Sequence, residues 1–285
     1  MFLSVFGHIN LDIIIKVEKI PEEGSIPVKE TVIRAGGTAR NIAYVSGLLG
    51  IDVEIFSRIG GGFPKIHIDE LTEKGVNVDN IIVKNEYGMS PVCFIVSDGS
   101  RQVAFIDQGP MSEITYYKNL PRGEWIHFST GNPEEYIKIK KLIRGKFSFD
   151  PGQEIHYRYN REKFSEMVDG TEIFFANEIE FEKALEFMDE SDILEKTKNV
   201  IVTMGERGCM LISKEGKIIL PAYRVKKRDT VGAGDSFRAG FYAGLKNGLD
   251  LINSCKLGMK VASIIVSKGG IPEKLPNINT LIKSL

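Results

Sequence analysis

Residues Asp229-Thr230-Val231-Gly232-Ala233-Gly234-Asp235-Ser236 stand immediately before a stretch of helical period. A loop in that place faces the unpaired N–H groups of a helix start and the positive end of its dipole, so it attracts anions. Glycine at 232 and 234 removes side chains that would block a phosphate. The amides of Ala233, Gly234 and Asp235 are then the donors that would surround the charge on a transferring phosphoryl group. Asp235 would repel that charge, and accepting the proton of an attacking hydroxyl is a task that offsets the repulsion. From these eight residues alone, capping the helix is an equally good reading of Asp235.

Two further groups near the N-terminus have the chemistry of a sugar site. Gly36-Gly37-Thr38-Ala39-Arg40-Asn41-Ile42-Ala43 opens a helix whose inward residues are Ile42, Val45 and Leu49. Paired glycines let a ligand approach the backbone, and Asn41 offers both a donor and an acceptor to hydroxyls. A plain turn before a helix has the same composition. The first strand runs into Gly7-His8-Ile9-Asn10-Leu11-Asp12, where Asn10 and Asp12 can grip hydroxyls or simply end a strand in solvent.

These groups need a scaffold, and the rest of the chain describes one. Short β-branched runs at Leu3–Ile9, Val53–Arg58, Trp125–Ser129, Phe147–Asp150, Glu172–Ala176 and Val200–Thr203 alternate with helical stretches, which predicts a mainly parallel sheet covered by helices. Between Ile13 and Val32, and between Pro91 and Ile106, apolar and polar residues alternate instead, with a tight turn at Asp98-Gly99-Ser100. These segments predict antiparallel strands with one wet face, set apart from the main sheet. Phe237, Phe241 and Leu245 mark a helix ending at Asn247-Gly248, with small residues between them that allow close packing. A second helix, about Leu251 to Ser267, carries Cys255, Met259 and Ala262 on one row and stops at Gly269-Gly270.

Composition removes several function classes. The 285 residues suit one α/β domain with a small appendage. Lys and Arg number 37 against 38 Asp and Glu, so no net field draws the chain to nucleic acid or a membrane surface. The apolar start Phe2 to Ile9 has no basic leader and is broken by Gly7, Asn10 and Asp12, which fits neither a signal peptide nor a membrane span. Cys93, Cys209 and Cys255 are isolated, which disfavours a disulfide framework and points to a cytoplasmic location. A dinucleotide oxidoreductase is disfavoured too, since the first strand lacks the Gly-x-Gly-x-x-Gly turn that a pyrophosphate requires.

The run Asp229 to Phe241 resembles the C-terminal signature of the PfkB carbohydrate kinases, the ribokinase-like family, and residues 36–43 resemble its other signature. The resemblance implies that Asp235 is the catalytic base, that Gly232, Ala233 and Gly234 form the anion hole, and that Asn10, Asp12, Gly36, Gly37 and Asn41 hold the acceptor. Asn177-Glu178-Ile179-Glu180 is similar to the family's Asn-x-x-Glu element, which implies that Glu180 helps hold Mg²⁺ through water. Thr203-Met204-Gly205-Glu206-Arg207-Gly208 resembles the loop supporting the nucleotide, which implicates Asn177, Thr203, Gly205 and Gly208; Asp150-Pro151-Gly152 ends another strand at the ligand edge. The motifs occur in family order over essentially the entire chain. The family fold is a three-layer α/β/α sandwich with a small β lid, taken here as about 13–33 and 91–107 within one kinase domain spanning residues 1–285.

The implied reaction is Mg²⁺-dependent transfer of a phosphoryl group from ATP to the primary hydroxyl of a ribofuranosyl acceptor, with the likeness strongest to archaeal nucleoside kinases. Ribose, ribose 1-phosphate and ADP as donor stay open at this point, as does a non-catalytic sensor on the same fold. A K⁺ ion beside Asp229 and Val231, and a homodimer formed through the lid, are further family expectations. Two departures bear on the acceptor. Gly60-Gly61-Gly62-Phe63-Pro64 replaces an Asp-containing turn, and Arg40 stands where relatives carry a small or apolar residue. Arg40 is read either as exposed or, with Arg34 or Arg101, as a binder of an anionic acceptor.

Overall fold

The computed structural model describes every residue except Lys227. Parallel strands that are buried on both faces need apolar side chains on each, and the sequence supplies them by alternation. Leu3 and Val5 enter one core while Phe6 enters the other, and Ile173 and Phe175 are separated from Phe174 and Ala176 in the same way. The main sheet contains β1 (Leu3–Phe6), β4 (Val53–Gly60), β5 (Asn77–Lys84), β8 (Trp125–Phe128), β9 (Lys146–Phe149), β10 (Thr171–Asn177), β11 (Thr197–Thr203), β12 (Cys209–Ser213) and β13 (Gly216–Leu220). Their order is β13-β12-β11-β10-β9-β8-β1-β4-β5, and only β12 and β13 run antiparallel to their neighbours. The edge strands β5 and β13 carried no clear period in the sequence, because an edge strand is only partly buried and its polar residues break the apolar run.

A second sheet, in the order β3-β2-β6-β7, joins β2 (Asn10–Lys16), β3 (Glu30–Gly36), β6 (Val92–Ser97) and β7 (Gln102–Asp107). This is the lid. Two expectations are corrected here. The first strand stops at Phe6, and Asn10 and Asp12 open β2, so they belong to the lid's root and not to the end of β1. The small sheet is also not wholly antiparallel, since β2 and β6 pair in parallel from Leu11↔Val92 to Lys16↔Ser97. Both strands leave the main sheet in the same direction, and period-two alternation reports a wet face without reporting strand direction.

Helices cover both faces: α1 (Thr38–Leu48), α2 (Ile66–Glu73), α3 (Pro133–Leu142), α4 (Arg161–Val168), α5 (Glu178–Phe187), α6 (Glu190–Lys196), α7 (Ala233–Lys246), α8 (Leu251–Lys268) and α9 (Ile278–Lys283). Residues of α1, α7 and α8 fill one core, and residues of α4 and α5 fill the other. The α7–α8 pair is unusually close because glycines face each other. A Cβ at Gly240 would lie 2.9 Å from the Gly258 Cα, and one at Gly258 would lie 2.7 Å from the Phe237 carbonyl oxygen. Gly258→Val is therefore expected to lower stability by about 1–3 kcal/mol through overpacking, read as a lower urea midpoint at unchanged slope. Among the described residues no helix is long and apolar enough to cross a membrane.

Candidate active site

The carboxyl ends of the parallel strands, the start of α7 and the inner face of the lid enclose a cleft of about 550 Å³. Open α/β sheets bind ligands at this edge because helix N-termini and loops converge there. Its floor includes Asp150, just beyond β9, then Asn177 and Glu180 at the β10–α5 junction and Thr203 and Gly205 beyond β11. Its lid wall is Cys93, Ile95, Gln102, Ala104 and Ile106.

Asp235 lies in the first turn of α7, half-buried at the cleft wall, and Asn41 Nδ2 donates to its Oδ2 at 2.8 Å. The two motifs found 194 residues apart thus meet at one hydrogen bond. Burial pushes the Asp235 carboxyl up to about 7, against the lowering effect of the Asn41 hydrogen bond and of Arg238. A simple cap would use its side chain on the helix's own amides, and α7 has no side-chain cap hydrogen bond. The helix begins instead at Gly232, in the left-handed conformation with φ of 76°.

The anion loop differs in one amide from expectation. Ala233 N–H donates to the Thr230 carbonyl at 3.1 Å, whereas the N–H groups of Gly232, Gly234 and Asp235 have no acceptor among the described residues. Ala233 also does not line the cleft, while Val231, Gly232 and Gly234 do. Cleft-facing donors are therefore those of the two glycines and of Asp235 itself.

Asn10, Asp12, Gly37 and Asn41, expected at the acceptor, line the cleft together with His8, Thr38, Gln108, Thr130, Glu154 and Tyr157. Asn10 Nδ2 donates to Asp12 Oδ1, and Arg34 stands 3.9 Å from Asp12 Oδ2. Burial raises the Asp12 carboxyl despite these partners. Gly37 has φ of 96° and a Cβ there would meet the His8 carbonyl at 2.3 Å, so no larger residue fits. Gly36 does not line the cleft; it makes room for Asp12, whose Oδ2 would be 2.3 Å from a Cβ at 36.

The arginines depart from both readings of the sequence. Arg40 is 7% exposed, donates to Glu70 Oε2 at 2.9 Å and lies over the Tyr44 ring at 4.4 Å, outside the cleft lining. A partner on α2 makes this burial affordable, and no local signal in residues 36–43 announces it. Arg101 is exposed at the tip of the lid, where its N–H donates to Asp98 Oδ1, and it does not line the cleft either.

Asn177 and Glu180, expected at the nucleotide and its metal, form a capping box: Glu180 N–H donates to Asn177 Oδ1 at 2.9 Å, and Asn177 N–H donates to Glu180 Oε2 at 2.8 Å. Burial and then nearby Asp150 push Glu180 up to about 7. Gly208, expected at the nucleotide, lies instead in the turn before β12, where a Cβ would overlap the Leu220 carbonyl, and outside the cleft lining. Asp229 is half-buried and its Oδ1 accepts from Val231 N–H at 3.0 Å.

Two residues that carried no weight in the sequence hold the centre of the cleft. Arg238, 5% exposed, places Nε 2.7 Å from Asp150 Oδ2. Its signal was present, since it follows Asp235 by three positions and so shares a helix face with it. Gln108 sits where β7 leaves the lid; its Oε1 accepts from His8 Nε2 and its Nε2 donates to Glu154 Oε1 at 3.2 Å and to the Tyr157 hydroxyl at 3.2 Å. Nothing in its sequence context marks it, because its partners come from two segments far from it in the chain, His8 after β1 and the turn carrying Glu154 and Tyr157.

A magnesium ion fits this donor set. Asp150 Oδ1 is buried without a partner, and Glu180 uses one oxygen in the capping box, which leaves hard oxygen donors beside the anion loop. Among the described residues no cluster of three or more acidic, His or Cys side chains could hold a metal alone.

A family model described as pfkB family carbohydrate kinase matches residues 2–278. A nucleoside kinase of Thermoplasma acidophilum is 35% identical over 268 residues, covering 94% of this chain and 90% of the relative. A nucleoside kinase of Methanocaldococcus jannaschii is 31% identical over 294 residues, covering 99% and 96%. The crystal structure of a Methanocaldococcus jannaschii nucleoside kinase, described as an archaeal member of the ribokinase family, superposes with a TM-score of 0.89 at 30% identity and covers 99% of this chain and 97% of that one.

Proposed function

This chain belongs to the pfkB family of carbohydrate kinases, and from that premise we propose that it transfers the γ-phosphate of ATP to the 5-position hydroxyl of a nucleoside. It is a phosphotransferase with an alcohol acceptor. The observation that carries the proposal is the Asn41–Asp235 hydrogen bond, which sets a carboxyl beside free amides at the meeting point of acceptor and donor walls.

The charge of the cleft favours a neutral acceptor. Asp12, Asp150, Glu154, Glu180 and Asp235 line it, whereas Arg238 is the only Lys or Arg to do so among the described residues and is paired with Asp150. Arg34, Arg40 and Arg101 are spent on Asp12, spent on Glu70, and turned to solvent. A sugar phosphate would bring a dianion against Asp12, where the neighbouring cations Arg34 and Arg238 already face Asp12 and Asp150. A nucleoside brings hydroxyls that Asn10, Asp12 and Asn41 can accept from and donate to.

In the reaction, Asp235 takes the proton of the attacking hydroxyl while that oxygen bonds to the γ-phosphorus and the bond to the β–γ bridging oxygen breaks, releasing ADP. Amides of Gly232, Gly234 and Asp235 donate to the charge on the transferring group. Asp150 and Glu180 would hold magnesium, which supplies neutralising charge to the donor phosphates. Lid residues Ile95, Ala104 and Ile106 present apolar surface to the cleft and exclude water.

On the outer face of the same sheet Ile33, Ile13, Phe94 and Phe105 stand directly opposite one another, with Ile33 59% and Phe105 61% exposed. That apolar row supports a homodimer joined lid to lid. The free cysteines fit a cytoplasmic enzyme.

A radiolabel transfer screen tests the proposal with nucleosides, free pentoses and pentose phosphates, using ATP or ADP, with and without potassium to test the proposed monovalent cation beside Asp229 and Val231. Nucleosides with ATP are expected to be the best pair; selective labelling of a pentose phosphate would remove the reading. With the preferred acceptor, kcat/KM is expected to fall by about tenfold per pH unit below about 7, as the base becomes protonated. A flat profile from pH 5.5 to 8 would remove Asp235 as the titrating base.

A further inference from the structure

We propose that Arg238 is itself a catalytic residue, whose Nη groups donate to the oxygens of the γ-phosphate as it passes from ATP to the acceptor. This rests on the kinase reading above but not on which acceptor is used.

Arg238 lines the cleft from α7, one turn beyond the base, with the Phe175 ring 5.5 Å from its guanidinium carbon. Its Nη1 lies 2.9 Å from the point where a Cβ at position 234 would stand, so the guanidinium fills the space directly under the anion loop. Glycine at 234 thus does two things: it bares an amide, and it admits a cation beneath that amide. The ion pair to Asp150 uses Nε, and at 2.7 Å it is not aligned as a hydrogen bond. Charge therefore holds the group near Asp150 without locking its planar fork. Neither Nη1 nor Nη2 makes a hydrogen bond to any of the described residues. A nine-tenths buried arginine with its forked end unspent, in a cleft that also holds five carboxylates, has the geometry for a phosphate.

Electrostatics points the same way. A nucleoside triphosphate entering this cleft meets Asp150, Glu180 and Asp235, and Arg238 is the positive side chain standing among them. In the step, the acceptor oxygen bonds to phosphorus, the bridging bond breaks, the proton goes to Asp235, and Arg238 neither gains nor loses a proton. Its contribution is greatest where charge spreads over the transferring oxygens. The competing role is purely structural, with Arg238 neutralising Asp150 and touching nothing that reacts.

The two roles separate on nucleotide binding. Wild type, Arg238→Gln and Arg238→Lys are titrated calorimetrically with magnesium and either ADP or the β,γ-imido analogue of ATP. If Arg238 meets the γ-phosphate, Arg238→Gln weakens the analogue by roughly 10- to 100-fold, the loss of charge-assisted hydrogen bonds, and ADP by less than about threefold. Arg238→Lys keeps a charge for Asp150 and so keeps the fold if the Gln variant does not. Its melting temperature stays near wild type while kcat falls about 100-fold, because an ammonium does not reproduce the fork. Equal weakening of both nucleotides, no weakening of either, or a Lys variant with normal kcat would overturn the assignment. Absence of phosphorylation of every acceptor by wild type would count against the nucleoside reading and leave the nucleotide comparison intact.

Discussion

Asp235→Asn is expected to lower turnover by roughly two to four powers of ten while the enzyme still folds and binds nucleotide. The substitution keeps the shape of the side chain and an oxygen to accept from Asn41 Nδ2, so the 2.8 Å link between the two motifs survives. What is lost is a group able to take the acceptor's proton. Stability moves in the opposite direction. Burial raises the Asp235 carboxyl to about 7, so its protonated form suits the fold and its ionised form does not. The associated stability is fully present below the carboxyl's unfolded-state value and is lost as pH rises through the folded value. Asn does not titrate. The melting temperature of Asp235→Asn should therefore exceed that of wild type by a margin that grows from pH 4 to about 7 and is level above it. Near-normal turnover, or a margin that shrinks with rising pH, would contradict the assigned base and its environment respectively. A site that gains stability when its key acid is removed is one shaped for chemistry at a cost to the fold.

The second large effect is expected at Arg58, far from any motif. Arg58 on β4 is fully buried, and its Nη1 donates to both oxygens of Glu135 on α3 at 2.6 and 2.8 Å. Its Nε donates to the Pro110 carbonyl and its Nη2 to that of Glu113, so one guanidinium ties the loop that returns from the lid to the main sheet. Arg58→Ala leaves Glu135 ionised or protonated in a dry site and leaves two carbonyls without donors, at an expected cost of about 3–5 kcal/mol. Pairing Arg58→Met with Glu135→Gln should recover more than half of the loss, since no charge is then stranded and Gln still accepts from Thr115 N–H. A urea midpoint for Arg58→Ala within experimental scatter of wild type would show that the staple contributes little. Because the tied loop includes Gly109 and Pro110, directly after Gln108, the same variant is expected to raise the acceptor KM as the lid root loosens.

Local chemistry made much of the site legible. A glycine loop before a helix, an Asp within it, and an Asn after paired glycines are short patterns whose meaning is carried by neighbouring backbone, and Asp235, Gly232, Gly234, Asn41, Asn10 and Asp12 all line one cleft. The strands at Leu3, Val53, Trp125, Phe147, Glu172 and Val200 were legible for the same reason, as each is a buried run that must be apolar. The edge strands β5 and β13 were not, because half-exposed strands need no such run. Arg40 shows the limit from the other side: its burial depends on Glu70 and Tyr44, and only the approach of α2 to α1 supplies the former.

Residue order alone determined the layered α/β class, the separate small sheet and the loop chemistry, since each depends on contacts within about ten neighbouring residues. Tertiary structure decided which amides are free, which arginines are neutralised, and that Arg238, Gln108 and Glu154 join Asp150 in the cleft. Those outcomes turn on charges and donors brought together from strands far apart in the chain, and the energy of a buried polar group is set by what surrounds it, which no local pattern of residues records.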